Sequence, residues 1–221
     1  MFYEHTSLTS HIPSQSKLES AIAVLNPAES KRLIARAIAI LPEVKTALEK
    51  GTLIIGWGTT NSFVAEEISG QAIGHRTDFA SGVICDGELK ANHPGTRMMP
   101  LVFKDGKLCD MHQKAALNEF KPGDVFIKGA NALDTNGNVG ILVAAQQGGS
   151  VHDGWLGTVV RGGHFICPVG LEKLVPSVSE AAGKCGIFRF KYSTGLPVSL
   201  VIFSNAKVVT EIQAIQVLTG V

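Results

Sequence analysis

The sequence has no excess of charge of either sign: 20 basic residues stand against 19 acidic ones, for a formal net charge of +1. That balance leaves no electrostatic footprint for nucleic acid or for an acidic membrane surface. Cysteine is scarce and scattered, at Cys85, Cys109, Cys167 and Cys185, with no C-x-x-C pair. Neither a disulfide framework nor a zinc site follows from such spacing. The expectation is reduced thiols in a cytoplasmic protein, with Cys85 and Cys167 buried and inert. No apolar run approaches the roughly 18 residues of a membrane span. The opening residues, Met1 to Ser7, lack the basic region and apolar core of a signal peptide. His75 with Asp78, and His152 with Asp153, are the nearest approaches to metal-ligand spacing. Neither is a closed set, so no metal and no other cofactor is expected. Aromatic residues are few, and Trp57 and Trp155 read as packing residues. Low-complexity stretches, charge runs and internal repeats are also missing.

What is present is an apolar chain with strong local punctuation. Hydrophobic residues make up 45% of 221, enough for the core of one large α/β domain spanning residues 1–221. Its most informative stretch is Thr52 to Ile68. An apolar run ends in Gly56-Trp57-Gly58, followed by Thr59, Thr60, Asn61 and Ser62 and then a helical pattern. Strand, tight turn and helix follow from that order. The start of such a helix is either an anion site lined by free N–H groups or an ordinary turn capped by its own hydroxyls.

The rest of the chain alternates in the same way. Leu18, Ile22 and Val24 suggest a short helix or arm; Asn26-Pro27-Ala28-Glu29 is a capping box that opens a helix. Residues 71–110 carry short runs between glycines, with Asp105-Gly106 as a hairpin turn, and read as a small β-rich insertion or edge. Asp110 to Gln113 reads as another capping box. Asp124 to Lys128 is a short strand, and Val139 to Ala145 is a buried strand or an apolar helix. Gln146 to Ser150 forms a second Gly-rich stretch before a helix. His164 to Val169 is a strand, Gly170 opens a short helix, and Ser177 and Thr210 begin two more helices. The fold class expected is an open, mainly parallel Rossmann-like sheet with helices on both faces. Ligands of such sheets lie beyond the carboxyl ends of the strands.

Three motifs fall at those ends: Gly56-Trp57-Gly58-Thr59-Thr60, Lys128 to Asp134, and Gly170 to Leu174. In this order they resemble the superfamily of ribose-5-phosphate isomerase, glucosamine-6-phosphate deaminase and the CoA transferases. The resemblance covers roughly residues 30–175. It implies that Gly56, Gly58, Thr59, Thr60 and Asn61 cradle a phosphate. It further implies ligand contacts from Lys128, Gly129, Asn131, Gln147, Gly148, Gly149 and Lys173. For Lys173 simple solvent exposure is the competing reading. The resemblance also implies a homo-oligomer and a small anionic, phosphorylated metabolite as partner.

The departures from the superfamily concern chemistry. Lys128, Asn131 and Ala132 stand where the isomerases carry acids, and Gln146-Gln147 replace their loop lysine. Moving a proton between neighbouring carbons needs a base, which Asn cannot be. Ribose-5-phosphate isomerase activity is therefore not expected. Asp134, His152 and Asp153 remain as candidate catalytic residues, although Asp153 also suits a helix start. An enzyme of unassigned reaction and a non-catalytic metabolite-binding protein are the two readings left open.

Overall fold

The computed structural model describes residues 21–203 and 205–220. The proposed arm through Leu18 lies outside the described residues, and Ile22 and Val24 sit exposed in chain without regular structure. The fold is mixed α/β around a six-stranded, mostly parallel sheet ordered β11-β9-β6-β1-β4-β5. Its parallel part is β1 (Thr52–Ile55), β6 (Val125–Ile127), β9 (His164–Pro168) and β11 (Lys207–Val209). A hairpin of β4 (Leu101–Lys104) and β5 (Lys107–Cys109) adds an antiparallel edge against β1.

Period-two alternation decides which side each strand residue faces. Leu53, Ile55, Val125, Ile127 and Ile166 pack on one face, under α1 (Pro27–Ile40), α2 (Pro42–Lys50), α3 (Thr59–Ser69) and α7 (Glu211–Thr219). Ile54, Phe126, Phe165 and Cys167 pack on the other. That side is covered by α4 (Gln113–Asn118), α5 (Gly149–Val160) and a small antiparallel sheet. The small sheet comprises β7 (Ala132–Leu133), β8 (Val139–Val143) and β10 (Ser199–Phe203). Val139 to Val143 is thus strand and not helix. The remaining helix, α6 (Val178–Lys184), packs against this sheet.

Local chemistry fixes the element ends. Asn26 accepts the N–H groups of Ala28 and Glu29, and the Glu29 carboxylate takes the Asn26 N–H in return. Ser177 and Thr210 cap α6 and α7 through their hydroxyls. The capping box read at Asp110 does not form: His112 caps α4, its Nδ1 accepting the Lys114 N–H at 3.2 Å. Asp105 and Gly106, both at positive φ, turn β4 into β5. Asp86 and Gly87 do the same between β2 (Gly82–Cys85) and β3 (Glu88–Ala91). This second hairpin stands apart from the main sheet, paired with the chain at Thr194 and Leu196. Cys85 lies exposed on it, contrary to the expectation of burial. Phe188 to Tyr192 alternates aromatic and basic residues yet forms no strand.

A buried acid ties β1 to β6. Asp124 accepts the Thr52 N–H and the Lys121 N–H, each at 2.7 Å, so the two strands start in register. With their starts pinned, their carboxyl ends emerge side by side.

Candidate functional site

A cleft of about 570 Å³ opens where β1, β6 and β9 end. Trp57, Gly58, Thr59 and Thr60 enter it after β1, Lys128 to Asn131 after β6, and Lys173 from the 3-10 turn Leu171–Lys173 after β9. Ile141 and Val143 of β8 form an apolar wall with Leu196 and Val198. Gly148 to Val151 close one end. Ser81, Gly82, Lys90 and Arg97 bring the 71–110 region over the rim.

Two helices begin at this cleft without a side-chain cap, α3 after Gly58 and α5 after Gly148. Uncapped first turns leave N–H groups and the positive end of the helix dipole available to an anion. Not all the amides at the first turn are free. The Gly58 N–H donates to Phe79 O at 2.8 Å, which corrects the expectation that it would serve a ligand. Thr59, Thr60 and Asn61 supply the remaining first-turn amides of α3.

The electrostatics of the lining are one-sided. Lys90, Arg97, Lys128 and Lys173 line the cleft, and among the described residues no Asp, Glu or His does. Lys90 is offset from outside by Glu88 at 3.2 Å and Asp86 at 3.7 Å. Arg97 lies 4.2 Å over the Trp57 ring. Lys128 is only 8% exposed, and its Nζ donates to Trp57 O at 2.8 Å. Burial pulls the Lys128 ammonium down to about 8; Cys167 opposes this, and the Lys173 charge adds a smaller push in the same direction as burial. Lys173 donates to Ala130 O at 2.7 Å, and burial lowers its pKa as well. Its turn is held by Glu211, which accepts the Leu171 N–H at 2.9 Å and the Ser30 hydroxyl. Burial raises the Cys167 thiol to about 12, leaving it protonated and unreactive.

Family models, curated proteins and solved structures give no match to this chain.

Of the residues expected to bind a ligand, Gly58, Thr59, Thr60, Lys128, Gly129, Asn131, Gly148, Gly149 and Lys173 line the cleft together. Asn131 uses its Oδ1 to accept the Leu142 N–H at 3.0 Å, so its amide nitrogen is the group left to donate. Gly56 does not line the cleft. A Cβ there would come within 3.3 Å of the Lys128 stem and 3.2 Å of Phe126, so its missing side chain makes room for neighbours. Asn61 is fully buried, donating to Gly56 O at 2.7 Å and Ile127 O at 3.0 Å, which clamps the ends of β1 and β6. Its Oδ1 has no hydrogen-bond partner among the described residues. Gln147 stays outside the lining.

The three candidate catalytic residues also lie outside the cleft lining. Asp134 is buried and fully engaged with backbone: it accepts the N–H groups of Asn136, Asn138 and Val178 at 2.9 to 3.1 Å. Burial works to raise its pKa, but the Val178 amide and the Asn138 and Asn136 contacts outweigh it and hold the carboxyl below its ordinary value. His152 and Asp153 stand on the outer side of α5, in a shallow groove with Lys114 and Leu117. Asp153 faces Lys114 at 3.5 Å there.

Sequence reasoning gave no ligand role to Lys90, to Arg97 or to the wall residues Ile141, Val143, Leu196 and Val198. A cation in a Gly-rich loop would have been the available signal for Arg97, whose rim position depends on the 71–110 chain path.

Proposed function

We propose that this chain binds a small anionic metabolite, phosphate-bearing by preference, in the cleft at the ends of β1, β6 and β9. One observation carries the reading: Lys128, Lys173 and Arg97 share a lining in which no carboxylate stands among the described residues, in a chain whose overall charge is nearly balanced. Buried cations without counter-ions are costly. An anion bridging them and the uncapped start of α3 would offset that cost. The apolar wall of β8 gives the rest of the ligand a dry surface.

The same reading takes the fold as Rossmann-like, with the 71–110 region inserted beside the site. It takes the chain as a divergent member of the isomerase, deaminase and CoA transferase superfamily, in a cytoplasmic setting and as a homo-oligomer. Binding is favoured over sugar-phosphate isomerisation because, among the described residues, no carboxylate or imidazole lines the cleft to carry a proton between carbons.

A melting-temperature screen with inorganic phosphate, glycerol 3-phosphate, ribose 5-phosphate and acetyl-CoA tests the proposal. At least one should raise the melting temperature with a concentration dependence that saturates the site. No response from any of the four, at millimolar ligand and low salt, would defeat it.

A further inference from the structure

Lys128 is a poor choice for a residue that only attracts an anion. Its stem is laid into the interior through the space left by Gly56, and the whole residue is 8% exposed. Its Nζ makes one hydrogen bond, to Trp57 O at 2.8 Å, so further N–H groups stay without a protein acceptor among the described residues. No ion pair forms at Lys128 among the described residues, and a second cation, Lys173, lines the same cleft and acts on its charge. A lysine in an apolar pocket beside a second cation is the arrangement that produces a nucleophilic amine.

We propose that Lys128 forms an imine with the carbonyl carbon of a small anionic aldehyde or ketone whose anionic group rests near Lys173 and the first turn of α3. This rests on the anion site proposed above and names the class of its ligand. In the step, the Nζ lone pair forms a bond to the carbonyl carbon while the C–O π pair moves to oxygen. Proton transfer from nitrogen to oxygen gives a carbinolamine. Loss of the hydroxyl with a second nitrogen proton then releases water and leaves a C=N bond. Atoms balance without an oxidant, a reductant or a co-reactant.

The environment favours each stage. With its pKa near 8, Lys128 is neutral in about one molecule in ten at pH 7, against roughly one in three thousand for an ordinary lysine. Ile141, Val143, Leu196 and Val198 line the same cleft and give the imine an apolar wall. Lys173 supplies the charge that holds an anionic substrate in place, which separates the two roles between two residues.

The test is reductive trapping on the 221-residue chain, with D-glyceraldehyde 3-phosphate and sodium cyanoborohydride, read by peptide mass mapping. Glyceraldehyde lacks the phosphate and glycerol 3-phosphate lacks the carbonyl. The expected result is one adduct per chain at Lys128, formed at least tenfold faster than on other lysines. It should be suppressed by glycerol 3-phosphate and absent in Lys128→Arg and Lys128→Met. Both variants should keep a single cooperative thermal transition without ligand, which shows them folded. Adducts spread evenly over the lysines, with the wild type still stabilised by glycerol 3-phosphate, would overturn the imine and leave the anion site standing. Trapping at Lys128 that is as fast with glyceraldehyde, and no response to glycerol 3-phosphate, would overturn the anion site on which the proposal rests.

Discussion

Lys128 and Lys173 reach the same cleft from adjacent parallel strands, each held by a single backbone carbonyl, Trp57 O at 2.8 Å and Ala130 O at 2.7 Å. Neither meets a carboxylate among the described residues that line the site. A folded protein that only had to be stable would not keep this pair.

Replacement of Lys128 by Met should therefore stabilise the protein at pH 7 while weakening anion binding. The folded pKa of about 8 lies below the ordinary 10.5, so the unfolded chain holds this proton more tightly. At 1.36 kcal/mol per unit, the mismatch amounts to about 3 kcal/mol. That cost is full below pH 8 and disappears as pH rises towards 10.5, because the wild type gains stability there. Denaturant melts of both proteins at pH 7 and pH 10 should show the difference shrinking. A constant difference would mean that burial of Lys128 is not the cause.

Asp134 should prove structural. Asp134→Ala strands the buried amides of Asn136, Asn138 and Val178 and should lower stability by about 3 kcal/mol. Its response to glycerol 3-phosphate should match the wild type. A folded variant that has lost binding would place Asp134 in the site after all.

Acid sensitivity should centre on Glu66. Burial works to raise its pKa, but Arg76, the Ile73 N–H and Arg32 outweigh it and bring the carboxyl to about 2. Arg76 lies 2.7 Å away, and both guanidiniums stack over Phe63, joining α1 to α3. The stability from this cluster is complete above pH 4.5 and is lost as pH falls towards 2. With both arginines about one-third exposed, roughly 2 kcal/mol is a fair figure after solvent screening. Glu66→Gln should flatten the acid limb of a stability profile measured from pH 5 to pH 2.

Packing of α5 should fail at Gly154. A Cβ there would sit 2.5 Å from the Phe126 ring, so Gly154→Ala forces helix and sheet apart at a cost of about 1–3 kcal/mol. Because α5 begins at the cleft, looser binding of glycerol 3-phosphate should accompany the loss. A thermal melt and a binding titration on the same sample check both effects.

The parts of the site that can be read from sequence are those encoded locally. An apolar run, a glycine turn and hydroxyl residues within Thr52 to Ser62 contain both the strand end and the helix start. Lys128 and Lys173 follow their own strands in the same way. Asp134 is misleading because its partner amide at Val178 lies 44 residues away and only the fold brings them together. His152 and Asp153 are a different case. Val151, Gly154 and Thr158 are the buried positions of α5, and the helical period then turns His152 and Asp153 outward. That signal is in the sequence, but the Gly-rich loop beside it draws attention first. The rim residue Lys90 arrives through a hairpin whose placement depends on pairing with Thr194 and Leu196, over a hundred residues later, and Arg97 through the chain beyond it, where the Met98 N–H reaches Asp78 O and the guanidinium lies over Trp57. No local pattern encodes that.

Calorimetric titration of glycerol 3-phosphate into wild type and Lys173→Ala reads whether the cleft holds an anion through Lys173 and the start of α3. Binding to the wild type should be saturable and one to one and should weaken with added salt, with at least a tenfold loss of affinity in Lys173→Ala. Equal affinity in the two proteins would mean that this cleft is not the anion site.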